Sequence, residues 1–154
     1  YKIHIEESGQ KYLPNDLFNE TVSIVRPNGV VNEKCAELIE LSDIGNEWEW
    51  EDNPEITLII VESVNHAIEL FNTYSPRLVA SLVTKDDAEA EHFYETIQSP
   101  FVGDNHTRWV DGQFALSKPE LGLSNWANGR LFSRGGILTG DSVYTVRTRY
   151  ITRS

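Results

Sequence analysis

Cysteine is nearly absent from this chain: its 154 residues hold one, Cys35. A disulfide within the chain is excluded, and a reducing, cytoplasmic setting is expected. Basic residues are also scarce. Thirteen Lys and Arg face 24 Asp and Glu, for a formal net charge of −11. That balance argues against nucleic acid, whose phosphates need clustered cations. No apolar run approaches the ~18 residues of a membrane span, and no basic segment leads into an apolar one at the start, so no membrane partner is expected. Gly-x-Gly-x-x-Gly and the Walker lysine pattern are missing, so a complete nucleotide site is not expected within the chain. Zinc spacing is missing too, because His4, His66, His92 and His106 are scattered and Cys35 has no partner cysteine. No metal ligand and no catalytic residue is assigned.

Hydrophobic residues make up 40% and charged residues 24%, which suits one domain with a real core. The chain opens at Tyr1 in an alternating strand pattern through Glu6, and an upstream part is expected to be missing. Thr21–Arg26 reads as a second strand, ended by Pro27-Asn28-Gly29. Asn32 is placed as the cap of a helix through Leu41, with Cys35, Leu38 and Ile39 on one face. Cys35 is then a core cysteine, since its acidic surroundings do not suit a nucleophile. Ile56–Val61 and Leu78–Val83 are continuous apolar runs, expected as strands buried on both faces. Between them, Ser63 caps a helix with Val64, Ala67, Ile68 and Phe71 inward. Thr84 and Asp87 fit a capping box before a helix presenting Ala90, Phe93, Tyr94 and Ile97. Phe101–Gly103 starts a third strand. Strands alternating with helices predict a parallel βαβαβ sheet with right-handed crossovers. The division expected is 1–55 (strands, short helix, acidic loop), 56–125 (the βαβαβ part with a ligand loop) and 126–154 (a Gly- and Arg-rich tail).

Charge is uneven. Glu37 to Glu55 holds eight acids and no Lys or Arg, whereas Trp126 to Ser154 holds five Arg and one acid. Solvated faces of opposite sign are the plain reading; an Arg-rich tail docking on another surface is the sharper one. Glu49, Glu51 and Glu55 either contact a ligand hydroxyl or belong to a solvated acidic loop, with Trp48 and Trp50 covering the sheet end.

The densest run of polar chemistry is Asn105-His106-Thr107-Arg108-Trp109-Val110-Asp111-Gly112-Gln113-Phe114. It follows the third strand directly, and open α/β sheets bind ligands at the carboxyl ends of their strands. Arg108 can clamp a carboxylate or phosphate with two parallel hydrogen bonds, with Asp111 orienting it and Trp109 and Phe114 as walls. Equally, Arg108 and Asp111 can pair only with each other in a structural turn.

From Ile56 to Tyr150 the chain resembles the aldehyde dehydrogenase superfamily, and within it the glutamate-5-semialdehyde dehydrogenases. The likeness is carried by Ser63–Ile68 with Asn72-Thr73-Tyr74, by Ser81–Asp86, by Thr107–Leu116 with Glu120–Ser124, and by Arg134-Gly135 with the strand at Tyr144. The family's Asn falls at Asp104, one of its glycines at Ala115, and another is replaced by Lys118-Pro119. Its nucleophilic cysteine has no match, and neither does its dinucleotide domain. The resemblance implies a partial aldehyde dehydrogenase-like catalytic domain of α/β class with a carboxyl-terminal oligomerisation strand at Val143–Ile151. It implies a parent that uses NADP or NAD, with Glu49 or Glu51 near the nicotinamide ribose. It implies a small anionic aldehyde or acyl substrate at Asn105, Thr107, Arg108 and Phe114, with Asp111 behind. A homo-oligomer is expected, the tail strand pairing with a partner or with a Tyr1–Glu6 hairpin. The chain alone is expected to bind no cofactor and to be inactive. The alternative is a non-catalytic scaffold or interaction domain that keeps the sheet.

Overall fold

The computed structural model describes residues 1–48, 50–99, 101–105, 120–124, 126–127, 130–131 and 137–139. The chain divides into two compact units, Tyr1–Ser75 and Pro76–Ser154.

The first unit is built on β1 (Lys2–Glu6), whose residues alternate between Lys2/His4 and Ile3/Ile5. The antiparallel hairpin of β2 (Thr21–Arg26) and β3 (Gly29–Lys34) follows. Its turn is Pro27-Asn28, and Gly29 takes φ +118, a backbone open to glycine at little cost. β4 (Ala36–Ile39) and β5 (Glu55–Leu58) then lie parallel on either side of β1, in the order β4-β1-β5. Ile3 pairs with Ala36 and Ile56, and His4 pairs with Glu37 and Thr57. Paired residues share a face. One face is thus apolar and the other carries Lys2, His4, Glu37, Glu55 and Thr57. On the apolar face the 3-10 turn Glu7–Tyr12 brings Gly9 against Ile5, where an added Cβ would lie 2.9 Å from the Ile5 side chain. Ile5, Ile24, Ala36 and Ile68 are buried.

α1 (Val64–Tyr74) begins where expected, the Ser63 side chain accepting from the His66 N–H at 3.2 Å. Ile68 is buried, Val64, Ala67 and Phe71 are half-buried, and Asn65, His66 and Glu69 are exposed, as a 3.6-residue period requires. Gly45 meets the last turn of α1: a Cβ there would collide with the Tyr74 carbonyl oxygen.

Among its described residues the second unit has one parallel crossover. β6 (Val79–Leu82) runs beside β7 (Phe101–Asp104), with α2 (Asp87–Thr96) between them in sequence. Ala80, Phe93 and Ile97 are buried. Two short antiparallel ladders follow, β8 (Glu120–Ser124) with β11 (Ile137–Thr139) and β9 (Trp126–Ala127) with β10 (Arg130–Leu131).

Several expectations need correction. The helix placed at Asn32–Leu41 is instead strand: β3 pairs along the hairpin, β4 pairs with β1, and Cys35 is a half-buried link between them. Tyr1–Glu6 is no hairpin, because both edges of β1 are taken by parallel neighbours. β5 pairs with β1 and β6 with β7, so the three-strand run is found as two parallel ladders. β5 is not buried on both faces, Ile56 being 48% exposed, and Val83 beyond β6 is exposed as well. Tyr94, expected inward on α2, is 65% exposed.

Candidate functional site

The sequence analysis expects a ligand at the carboxyl ends of parallel strands, which here are those of β6 and β7. Leu82 pairs with Asp104, and the next residue, Asn105, continues the ladder by donating its N–H to the Leu82 carbonyl at 2.8 Å. Asn105 then turns the chain with φ +51, a left-handed backbone that Asn tolerates better than most residues. Its amide group is heavily used. The Oδ1 accepts from the Thr84 N–H at 3.1 Å, and the Nδ2 donates to the Thr84 carbonyl at 3.0 Å and to Asp104 Oδ1 at 2.9 Å.

Thr84 stands at a second junction as well. Its hydroxyl donates to Glu89 Oε2 at 2.7 Å and accepts from the Asp86 N–H at 3.2 Å. Asp86, not Thr84, caps α2: its Oδ1 accepts from Ala88 N at 2.9 Å and Glu89 N at 3.2 Å. A carboxylate at a helix start also suits the positive end of the helix dipole. Thr84 ties the entry of α2 to the exit of β7.

Beside this junction lies a cavity of about 330 Å³, lined by Leu82, Asp87, Ala90, Glu91, Phe93, Tyr94, Val102, Gly103 and Asp104. Its size is at the low end for small-molecule sites. The lining carries three carboxylates and no cation. An anionic ligand at these strand ends therefore needs a cation from outside that lining. Thr107, Arg108, Asp111 and Phe114 lie outside the described residues, as do Glu49 and Val143–Ile151. Of the expected site residues, Asn105 is at the strand ends, and Glu51 is an exposed residue of the first unit.

The first unit holds a cluster that sequence reasoning missed. Lys2 and His4 are 2% and 1% exposed. Lys2 Nζ contacts Glu33 and lies 3.1 Å from Glu37 Oε2. His4 Nε2 lies 2.7 Å from Glu55 Oε1. His4 Nδ1 lies 2.9 Å from Glu37 Oε1 but without hydrogen-bonding geometry. Arg26 grips two carboxylates. Its Nε and Nη2 donate to Glu33 at 2.8 and 2.7 Å, and Nη1 and Nη2 donate to Glu55, each at 2.9 Å. The Trp48 ring stacks on His4 with centroids 3.8 Å apart, while its N–H donates to Thr57 Oγ1 at 2.8 Å. Hydrogen bonds from Arg26 hold the Glu33 carboxyl down at about 2. Burial pushes Glu55 upward, but hydrogen bonds from Arg26 and His4 outweigh it and the net shift is downward. Bonding to Glu33 and then to Glu55 raises Arg26 further. The ion pairs and hydrogen bonds of this cluster fasten the hairpin to the sheet. The signal available in sequence was the placement of Lys2 and His4 at alternate positions of β1.

Among the described residues no group of His, Cys, Asp and Glu could hold a metal ion, and no helix is long and apolar enough to cross a membrane.

No protein-family model matches the chain. It is 33% identical over 92 residues to the gamma-glutamyl phosphate reductase of Haloquadratum walsbyi, covering 58% of this chain and 19% of that protein. It is 31% identical over 83 residues to the gamma-glutamyl phosphate reductase of Methylobacterium radiotolerans, covering 53% and 18%. The chain thus spans about a fifth of the length of these curated relatives. The solved structure of gamma-glutamyl phosphate reductase from Thermotoga maritima matches with a TM-score of 0.62 at 16% identity, covering 99% of this chain and 32% of that one. The chain resembles gamma-glutamyl phosphate reductases in sequence, and its mixed α/β fold with parallel strands matches theirs.

Proposed function

We propose, from that resemblance, that this chain supplies the substrate-side segment of an NAD(P)-dependent oxidoreductase acting on gamma-glutamyl phosphate or the corresponding semialdehyde, in proline biosynthesis and in the cytoplasm. The observation that carries the reading is the sequence likeness to two reductases of that name. The strand-end junction at Asn105 supports it, because the run begins there, at the carboxyl end of β7, and α/β sheets hold ligands at such ends. In this reading Thr107, Arg108 and Phe114 contact a small anionic aldehyde or acyl compound, and Asp111 orients Arg108. A guanidinium fork matches a carboxylate in shape and charge. The tail strand at Val143–Ile151 joins subunits of a homo-oligomer.

The sequence carries neither Gly-x-Gly-x-x-Gly nor the Walker lysine pattern. Cys35 is a half-buried link between two strands, a poor setting for a nucleophile. The chain alone is therefore expected to give no semialdehyde oxidation or acyl-phosphate reduction with either nicotinamide cofactor, followed as absorbance of the reduced cofactor. Turnover that disappears in Cys35→Ser would contradict this.

A further inference from the structure

The turn of the β2–β3 hairpin carries an Asn-Gly step, Asn28-Gly29. Both residues are exposed. Among the described residues no hydrogen bond holds the Asn28 side chain, whereas the side chains of Asn19, Asn32, Asn53 and Asn105 are all held. Gly29 takes φ +118, and a Cβ added there would meet no atom within 4 Å. The step is thus exposed, unheld and open on the side where a Cβ would stand, and glycine adds no side chain of its own to hinder approach to its nitrogen. We infer that Asn28 is a site of spontaneous covalent modification. The Gly29 backbone nitrogen gives up its proton and attacks Cγ of Asn28. The N–Cγ bond forms, the Cγ–Nδ2 bond breaks, and Nδ2 leaves as ammonia with a proton taken from solvent. Water then opens the cyclic imide. Attack at Cγ restores the original backbone and leaves aspartate. Attack at the Asn28 backbone carbonyl carbon leaves isoaspartate, with the chain now running through Cβ and Cγ. Overall an amide and water give a carboxylate and ammonium, with no oxidant or reductant.

The product matters to the fold because Arg26 ends β2 opposite Gly29, and its guanidinium binds Glu33 and Glu55. Isoaspartate lengthens the backbone of the turn by a carbon and adds a carboxylate close in sequence to Arg26. Both changes loosen the hairpin at the Arg26 clamp. The test keeps the full 154-residue chain folded in neutral and in mildly alkaline buffer, beside a free peptide of the sequence Ile24–Val31. Proteolytic mapping by mass reads this turn apart from the second Asn-Gly step, Asn128-Gly129, which lies outside the described residues. The fragment carrying Asn28 should gain the mass of an amide turned to an acid, resolve into aspartate and isoaspartate forms, and accept methyl groups from an isoaspartyl methyltransferase. It should do so faster as pH rises, while Asn19, Asn32 and Asn53 stay intact and Asn28→Gln loses the reaction. The rate in the folded chain should stay within about tenfold of the free peptide's, because an open turn gives little protection. A larger protection marks a closed turn and overturns the site. Purified isoaspartyl chain should unfold at lower urea than unmodified chain, and an equal midpoint overturns the effect on the Arg26 clamp.

Discussion

Lys2 and His4 would be costly to bury alone; they are buried because every charge beside them has a partner. Lys2, His4 and Arg26 come from β1 and β2, and Glu33, Glu37 and Glu55 from β3, β4 and β5. Such a cluster adds little net stability over an apolar core, but removing one member strands the others. Arg26→Ala leaves Glu55 without its main donor and should cost about 3 kcal/mol or more. Acid should act on the same groups. Glu33 and Glu55 titrate lower in the folded chain than the ordinary 4.5, Glu33 near 2. A depressed carboxylate contributes stability that is complete above its unfolded value and is lost as pH falls through its folded value. Urea midpoints should therefore hold steady above about 4.5 and fall between there and about 2, with a shallower fall in Glu33→Gln. An equal acid slope in wild type and Glu33→Gln would remove Glu33 from this account. The alternation of β1 was legible in sequence, but the cluster was not. Its members lie on five strands, and pairing register between distant strands leaves no local trace. Glu37 fell within the segment read as a helix, and Glu55 was weighed as part of a solvated acidic loop.

Elements with local determinants were legible. α1 has its Ser63 cap and an apolar stripe, and β2 ends at a turn of suitable residues. The misread elements are those that distant contacts decide. Cys35, Leu38 and Ile39 fit a helical face, yet Ala36–Ile39 is a strand because β1 offers it an edge with Ile3 opposite Ala36 and His4 opposite Glu37. Strand preference depends on such neighbours more than on the segment itself. The cap of α2 was misplaced for a smaller reason: Thr84 and Asp86 both have capping side chains, and Thr84 is engaged with Glu89. One proposed element, Val143–Ile151, lies outside the described residues. A terminal strand of that length presents open backbone groups and suits a two-fold pairing. In the proposed homo-oligomer, deleting Val143–Ser154 should give a monomer or an insoluble chain. Unchanged sedimentation after the deletion would show that assembly lies elsewhere.

At the scale of the molecule, a parallel α/β chain was legible, and β6, α2 and β7 have that form, while the expected ligand run from His106 on lies outside the described residues. The sequence did not announce that β5 would lie beside β1. That pairing sets Lys2 against Glu55 and His4 against Thr57, a complementarity visible only once the strands are side by side. The fate of Arg108 was not legible either, since one run served equally as a ligand clamp and as a self-paired turn. The central claim is that this chain can do the substrate-side work of a gamma-glutamyl phosphate reductase. The most direct measurement is a transplant: the chain replaces the matching segment in one of the curated reductases, and NADPH-dependent reduction is assayed on the purified chimera. A chimera that keeps activity, and loses it with Arg108→Ala, is the predicted result. A chimera that folds, assembles and binds NADPH but turns over no substrate would contradict the account.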